Sequence, residues 1–235
     1  MPSPDVAPSI TDADIYERLV SAILDHKLPP GTKLVEDKLA NAFGVSRTRI
    51  RPVLVRLANE QVVTLTPNRG ASVAQPTAQE AREVFEARRL IEPMLVQRFI
   101  DTAQPADIAR LADCIAAEES ARLAGDMRRA IRQAGDFHLH IAQAAGHETL
   151  GRILRELISR TSLVLMTFSA DHASERDEAT ACGCREHRML LDAIRLRDAR
   201  EAAHLMAKHL DLLESRLQFQ PAVDESLDLL SVLAG

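Results

Sequence analysis

Residues 28–51 read LPPGTKLVEDKLANAFGVSRTRIR, and this stretch decides the fold. Pro29-Pro30-Gly31 is a strong break, because proline disfavours helical geometry in the residue before it and glycine tolerates left-handed backbone. Behind the break, Glu36 to Phe43 reads as a short helix with Leu39, Ala40 and Phe43 turned inward. Gly44 ends it and Val45 leads out, which leaves Ser46 placed to cap a third helix from Arg47 to about Asn59. Upstream, Ile15, Leu19, Ala22 and Ile23 recur at helical spacing behind a Thr11 or Asp12 cap, so a first helix lies between a Pro-rich lead-in, residues 1–9, and the break. Helix, glycine-containing turn, helix is the pattern of a helix-turn-helix.

The residues that follow complete a winged form. Val62-Val63-Thr64-Leu65-Thr66 is β-rich, Pro67-Asn68-Arg69-Gly70 is turn chemistry, and Ala71-Ser72-Val73-Ala74 is a second short strand, a hairpin closed off by Gln75-Pro76-Thr77. Charge agrees with this reading once it is divided along the chain. The net charge of −5 conceals five arginines within residues 40–72 (Arg47, Arg49, Arg51, Arg56, Arg69) against the single acid Glu60. Residues 77–235 carry 20 Lys and Arg against 26 Asp and Glu, so the acid sits in the second part. A local basic patch on an acidic chain suits a small nucleic-acid contact surface and excludes a protein that compacts DNA through broad positive charge.

In order and spacing, residues 28–51 and the tip Asn68-Arg69-Gly70 resemble the winged helix of the GntR family of bacterial transcriptional regulators, over about residues 12–74. The resemblance implies double-stranded DNA as partner, with Arg47, Thr48 and Arg51 contacting bases or phosphates and Arg69-Gly70 approaching the minor groove. The residue types support it independently. Ser46, Arg47, Thr48 and Arg49 fill the first turn of the third helix, the end that enters a major groove and whose free N–H groups favour phosphate. Arginine forks pair bidentately with guanine edges. Pro52 stands where the family commonly has glutamate; it removes one backbone donor and bears on the aim of Arg51 and Arg56, but falls early enough that the helix need not break.

From Ala78 onward the chain is helical periodicity, interrupted near Thr102–Pro105, Ala124–Asp126, Gly146–His147, Ser169–Glu175 and Arg197–Asp198. Apolar residues make up 46% and aromatics only 3%, with 9 glycines, a composition for helices packed through Leu, Ala, Ile and Val. The expectation is a mainly α fold: a winged helix-turn-helix over 10–76, an all-helical bundle of about six helices over 77–217, and a tail over 218–235. Apolar runs such as Leu163 to Met166 are far short of the roughly 20 residues that span a bilayer, and no basic region precedes an apolar run at the N-terminus. The expected protein is soluble and cytoplasmic, with no membrane partner. Cys114, Cys182 and Cys184 cannot all pair within one chain, so reduced thiols are expected.

Four segments carry a second resemblance: Phe85-Glu86-Ala87-Arg88-Arg89-Leu90-Ile91-Glu92-Pro93, Asp136-Phe137-His138-Leu139-His140, Ala144-Ala145-Gly146, and Glu186-His187-Arg188-Met189-Leu190-Leu191-Asp192-Ala193-Ile194. Together they are similar to the FCD-type domain of the FadR subfamily, over roughly 78–217. In metal-binding members an Asp and a His four apart on one helix join two His from the last two helices, which implies Asp136, His140, His187 and His209 as ligands here. Helical periodicity gives a separate check, because a buried ligand must lie on the inward stripe. His187 shares a stripe with Leu190, Leu191 and Ile194, and His209 with Leu205, Leu212 and Leu213; His140 sits four from Asp136 and one turn from Phe137 and Ala144. His204 has charged neighbours at helical spacing, and His26, His147 and His172 fall at or near breaks, so these read as solvated.

A single inward histidine is more often a satisfied core residue than a ligand. Four inward polar groups without partners would each cost roughly 1–3 kcal/mol, whereas one divalent cation satisfies them together. Imidazole plus carboxylate suits zinc or nickel, with manganese and iron also compatible. Cys182-Gly183-Cys184 with His187 is a rival soft zinc site, but it lacks a fourth ligand at finger-like spacing. An ion of five or six coordination leaves room for a small carboxylate effector, with Arg88 as its counter-charge or, alternatively, as a structural partner of Glu92 one turn on. The function expected is a homodimeric regulator, a repressor, on a pseudo-palindromic operator. The alternative is a metal-dependent hydrolase using three histidines and one aspartate; it finds no general base beside the ligands and no Ser-His-Asp, P-loop or Rossmann fingerprint.

Overall fold

A computed structural model describes residues 10–25, 27–169 and 179–219, with backbone only for 179–183. The expectations for 1–9, His26, His172, the Cys182 side chain and most of the tail lie outside these residues.

The N-terminal part is built as the turn residues dictate. Helix α1, Asp12–Leu24, starts from a reciprocal cap in which Thr11 accepts from the Asp14 backbone and Asp14 accepts from that of Thr11. Helix α2, Glu36–Phe43, ends at Gly44, whose φ of 66° is left-handed backbone that a β-carbon would strain. Helix α3, Arg47–Asn59, passes through Pro52 unbroken. Ser46 holds the cap position of α3, yet its hydroxyl bonds Thr48 Oγ1 at 2.6 Å instead of a helix N–H. The wing consists of β2, Val63–Thr66, and β3, Gly70–Val73, paired antiparallel from Val63↔Val73 to Thr66↔Gly70. The sequence does not announce β1, Lys33–Leu34, which pairs with β3 on its other side and makes a three-stranded sheet in the order β1-β3-β2.

Six helices follow among the described residues: α4, Ala78–Thr102; α5, Pro105–Leu123; α6, Met127–Ala144; α7, Glu148–Phe168; α8, Ala179–Arg195; and α9, Ala199–Ser215. Thr77 and Glu80 cap α4 reciprocally. Pro105 opens α5, where a missing backbone donor costs nothing. The bundle closes over a core that includes Leu95, Phe99, Leu111, Phe137, Ile141, Leu190 and Met206. The winged part has its own core of Ile15, Leu19, Ile23, Ile50, Leu54 and Leu57, and one member comes from elsewhere: Leu163 of α7, fully buried. A second tie is polar, with Arg132 of α6 bonded to Ser21 Oγ at 3.0 Å and paired with the Asp25 carboxylate. None of the described helices is long and apolar enough to cross a membrane.

Candidate metal centre

Among the described residues eight polar side chains lie buried, all in the helical bundle: Arg88, Glu92, Glu118, His138, Thr161, Ser162, His187 and His209. Removing so many from water is costly unless each finds partners. The partners form three parallel relays. His138 Nδ1 faces Glu92 Oε2 at 2.5 Å, and Glu92 accepts from Arg88 Nε at 2.5 Å. His187 Nδ1 faces Glu118 Oε2 at 2.8 Å, and Glu118 accepts from Arg122 Nη2 at 2.7 Å. His209 Nδ1 faces Glu186 Oε2 at 2.7 Å, and Glu186 accepts from Arg216 Nη2 at 2.9 Å.

Electrostatics fixes the protons. Burial would raise the Glu92 and Glu118 carboxyls, but the facing cations and hydrogen bonds outweigh it and hold both at about 2, so both are anions that only accept. Burial disfavours the charged imidazole of His138, lowering it to about 3 against the pull of Glu92, and burial likewise lowers His209. A neutral imidazole that gives its Nδ1 proton to a carboxylate keeps a lone pair on Nε2. This is the outer-shell arrangement that orients a metal-binding histidine and strengthens it as a donor.

The three rings converge, with centroids 5.3 Å apart for His138 and His187, 5.2 Å for His138 and His209, and 4.6 Å for His187 and His209. One nitrogen from each lies within 4.8 Å of the others. The Nε2 atoms of His187 and His209 are buried with no hydrogen-bond partner among the described residues, and so is Nη2 of Arg88. Unpartnered ring nitrogens on converging imidazoles fit a divalent cation, whose bonds to imidazole run about 2.0–2.1 Å. Three protein donors also leave coordination positions open.

The sequence expectation changes at one helix. Of the four residues expected as ligands, the structure brings His187 and His209 together, and the histidine beside them is His138, with His140 outside the group. His140 is half-buried and does not line the cavity over the cluster. Asp136 lines that cavity without joining the cluster; burial raises its carboxyl, and Gln133 donates to it at 3.3 Å. Four residues before His138 stands Ala134, so α6 offers no carboxylate on the ligand's own stripe. The signal was readable: Ala130, Ala134, His138, Ile141 and Ala145 recur at helical spacing, and that stripe faces the core. Arg88 pairs with Glu92 and donates from Nη1 to Thr161 Oγ1 at 3.3 Å, while its Nη2 has no partner among the described residues. Of the rival thiol site, Cys184 is buried, burial pushes its thiol up to about 12, and it does not join the three-histidine group.

At the N-terminal end of α3 the arginines separate into two groups. Arg47 and Arg51 stay largely exposed, pairing with Asp37 at 3.1 Å and Glu36 at 3.0 Å on α2. Arg49 turns back to α1, bonding Asp12 and the Ile10 carbonyl at 2.8 and 2.7 Å. Thr48 and the wing-tip Arg69 and Gly70 are exposed.

Comparison with known proteins agrees with this architecture. Residues 11–73 match the model of the gntR family of bacterial regulatory proteins, and residues 83–212 match the FCD domain. The chain is similar to the HTH-type transcriptional regulator McbR of Escherichia coli, with 25% identity over 77% of this chain and 80% of that protein. It is also similar to the HTH-type transcriptional repressor GlaR of Escherichia coli, with 26% identity over 86% and 93%. Among solved structures, E. coli McbR/YncC superposes with a TM-score of 0.76 at 20% identity, covering 95% of this chain and 98% of that one. A GntR regulator from Rhodococcus gives 0.75 at 22% identity, over 87% and 96%.

Proposed function

The chain belongs to the GntR family of bacterial regulatory proteins, an FCD domain following its winged helix, and from that premise we propose a repressor whose hold on its operator is set by a small organic acid bound at a metal ion. It is a DNA-binding transcriptional regulator and not an enzyme, so the hydrolase alternative falls: its matches and relatives are regulators throughout. One observation carries the effector reading. Three buried polar atoms without partners, Nε2 of His187, Nε2 of His209 and Nη2 of Arg88, belong to residues that line one cavity. Leaving them unsatisfied costs roughly 1–3 kcal/mol each, and a metal-bound carboxylate satisfies all three.

In this reading His138, His187 and His209 hold the ion, zinc or nickel by donor type. The ion supplies a Lewis-acidic position for one carboxylate oxygen, and Arg88 donates to the other. The unit of action is a homodimer working in the cytoplasm, with winged domains of residues 10–76 and effector domains of residues 77–217. Arg47, Thr48 and Arg51 meet the major groove, and Arg69 with Gly70 meets the minor groove. Arg49 serves them by anchoring α3 to the start of α1. Coupling runs along α6, which carries both His138 and the Arg132 bonded to α1. A ligand shifts the balance between two placements of the winged domain only by the difference in its affinity for them.

Arg47→Ala is expected to weaken specific DNA binding by about 1–3 kcal/mol in a gel-shift titration on the DNA beside the gene. No sequence-selective shift from the wild type, or an unchanged shift from the variant, sinks the DNA assignment. Calorimetric titration of metal-stripped against metal-loaded protein with short-chain acids tests the effector; equal affinity in both states removes the metal bridge. Glu118→Gln should leave the fold in place and weaken metal binding about 10–100-fold, measured by competition with a chromophoric chelator. Unchanged affinity would show that the relay to His187 does not serve the ion.

A further inference from the structure

The cavity over the three histidines has a volume of about 790 Å³. Pockets of about 300–1,000 Å³ enclose drug-sized ligands, so a two- or three-carbon acid at the metal centre leaves most of this space empty. Its walls are not confined to the effector domain. Tyr16, Val20 and Leu24 of α1 line it, as do Arg56 and Glu60 at the far end of the recognition helix. The winged domain therefore forms one wall of the cavity whose other wall carries His138, His187, His209 and Arg88.

Apolar side chains contribute much of the remaining wall, with Met127 and Ile131 from α6, Ile158 and Leu165 from α7, and Leu213 from α9. The far end is polar but electrically balanced. Tyr16 donates to Glu60 Oε2 at 2.5 Å, Arg56 lies 3.6 Å over the Tyr16 ring, and Arg56 pairs with Glu60 at 3.2 Å. Arg132, Arg152 and Arg155 line the cavity as well, together with Glu17, Asp136 and Glu156, and Arg132 pairs with Asp25. Arg56 is already paired with Glu60 beside Val20 and Leu24, and this corner accommodates an apolar tail or one ending in a neutral polar group.

We propose that the effector is an elongated carboxylic acid with a mainly apolar body, held by its carboxylate at the histidine cluster and touching the DNA-binding domain directly through Tyr16, Val20 and Leu24. This rests on the reading that an organic acid binds at the metal centre. The ligand then bridges the two domains physically and biases their placement by its own length.

The chain contains one tyrosine and no tryptophan, so ultraviolet-excited emission above 300 nm reports on Tyr16 alone. The test uses full-length, zinc-loaded protein titrated with straight-chain acids from acetate to decanoate, followed by calorimetry and by Tyr16 emission. Affinity is expected to rise about three- to fourfold per added methylene once the chain enters the apolar section. Tyr16 emission should change with octanoate and not with butyrate. Val20→Trp, which fills the far end, should remove the length dependence, and a circular dichroism spectrum and zinc content equal to wild type show that the variant is folded. Metal-dependent binding of equal strength at every length, or the same emission change with butyrate as with octanoate, overturns this inference and leaves the metal-bridged effector standing. No binding of any acid overturns both.

Discussion

Replacing His138 with alanine is expected to abolish metal binding, while His140→Ala leaves it intact. The two residues are one turn-half apart on α6, but only His138 is fully buried, converges on His187 and His209, and has its Nδ1 held by Glu92. Loss of an outer-shell partner alone typically costs 10–100-fold in metal affinity, so loss of one of three donors should exceed about 100-fold. Elemental analysis of protein purified at equal concentration reads this directly. His187→Ala and His209→Ala should behave like His138→Ala. If His140→Ala loses the ion and His138→Ala keeps it, the centre has been placed on the wrong face of α6.

Glu92→Ala should destabilise the helical bundle by about 3–5 kcal/mol, the usual cost of leaving one member of a buried ion pair without its partner. Arg88 is 1% exposed and stacked near Phe85, so its guanidinium cannot reach water when Glu92 is gone. The same substitution frees His138 Nδ1, so the damage reaches the metal site as well. Urea unfolding followed by circular dichroism, with metal removed, isolates the stability effect. A midpoint unchanged from wild type would mean that Arg88 finds another anion and that the relay contributes little to the fold. The surface pair Arg195–Asp192, exposed on both sides, provides the contrast: Asp192→Ala should stay within about 0.5 kcal/mol.

Much of the fold could be read from the chain because its local signals agree with its global arrangement. Gly44, the Pro29-Pro30-Gly31 break and the Asn68-Arg69-Gly70 tip each demand a backbone geometry few residues supply, and elements fall between them. Strand β1 was not legible, since Lys33-Leu34 is two residues long and exists only because β3 offers an edge. The histidine assignment shows a different limit. His187 and His209 sit beside leucines that mark the inward stripe strongly, whereas α6 near its ligand is marked by alanines, which are nearly as comfortable outside as inside. The pairing of Glu92, Glu118 and Glu186 with His138, His187 and His209 could not be found from spacing: each joins residues 23 to 69 positions apart, a fact of tertiary assembly. The double tie of Arg88, by contrast, was half visible, since Glu92 lies one turn away.

Leu163 gives the architecture a further meaning. A side chain from the middle of α7 completes the interior of the winged helix, with Met166 packed beside it. Cutting such a leucine from a core costs about 2–5 kcal/mol, so a winged helix severed after Pro76 would keep its sequence signature and lose part of its interior. The two halves are thus not interchangeable parts. Grafting this reader head onto a foreign sensor would transplant a socket without its plug, and a sensor evolving a new specificity must conserve the shape of α7 on the side that never meets the effector. Heredity of the fold is written across the domain boundary, not on either side of it.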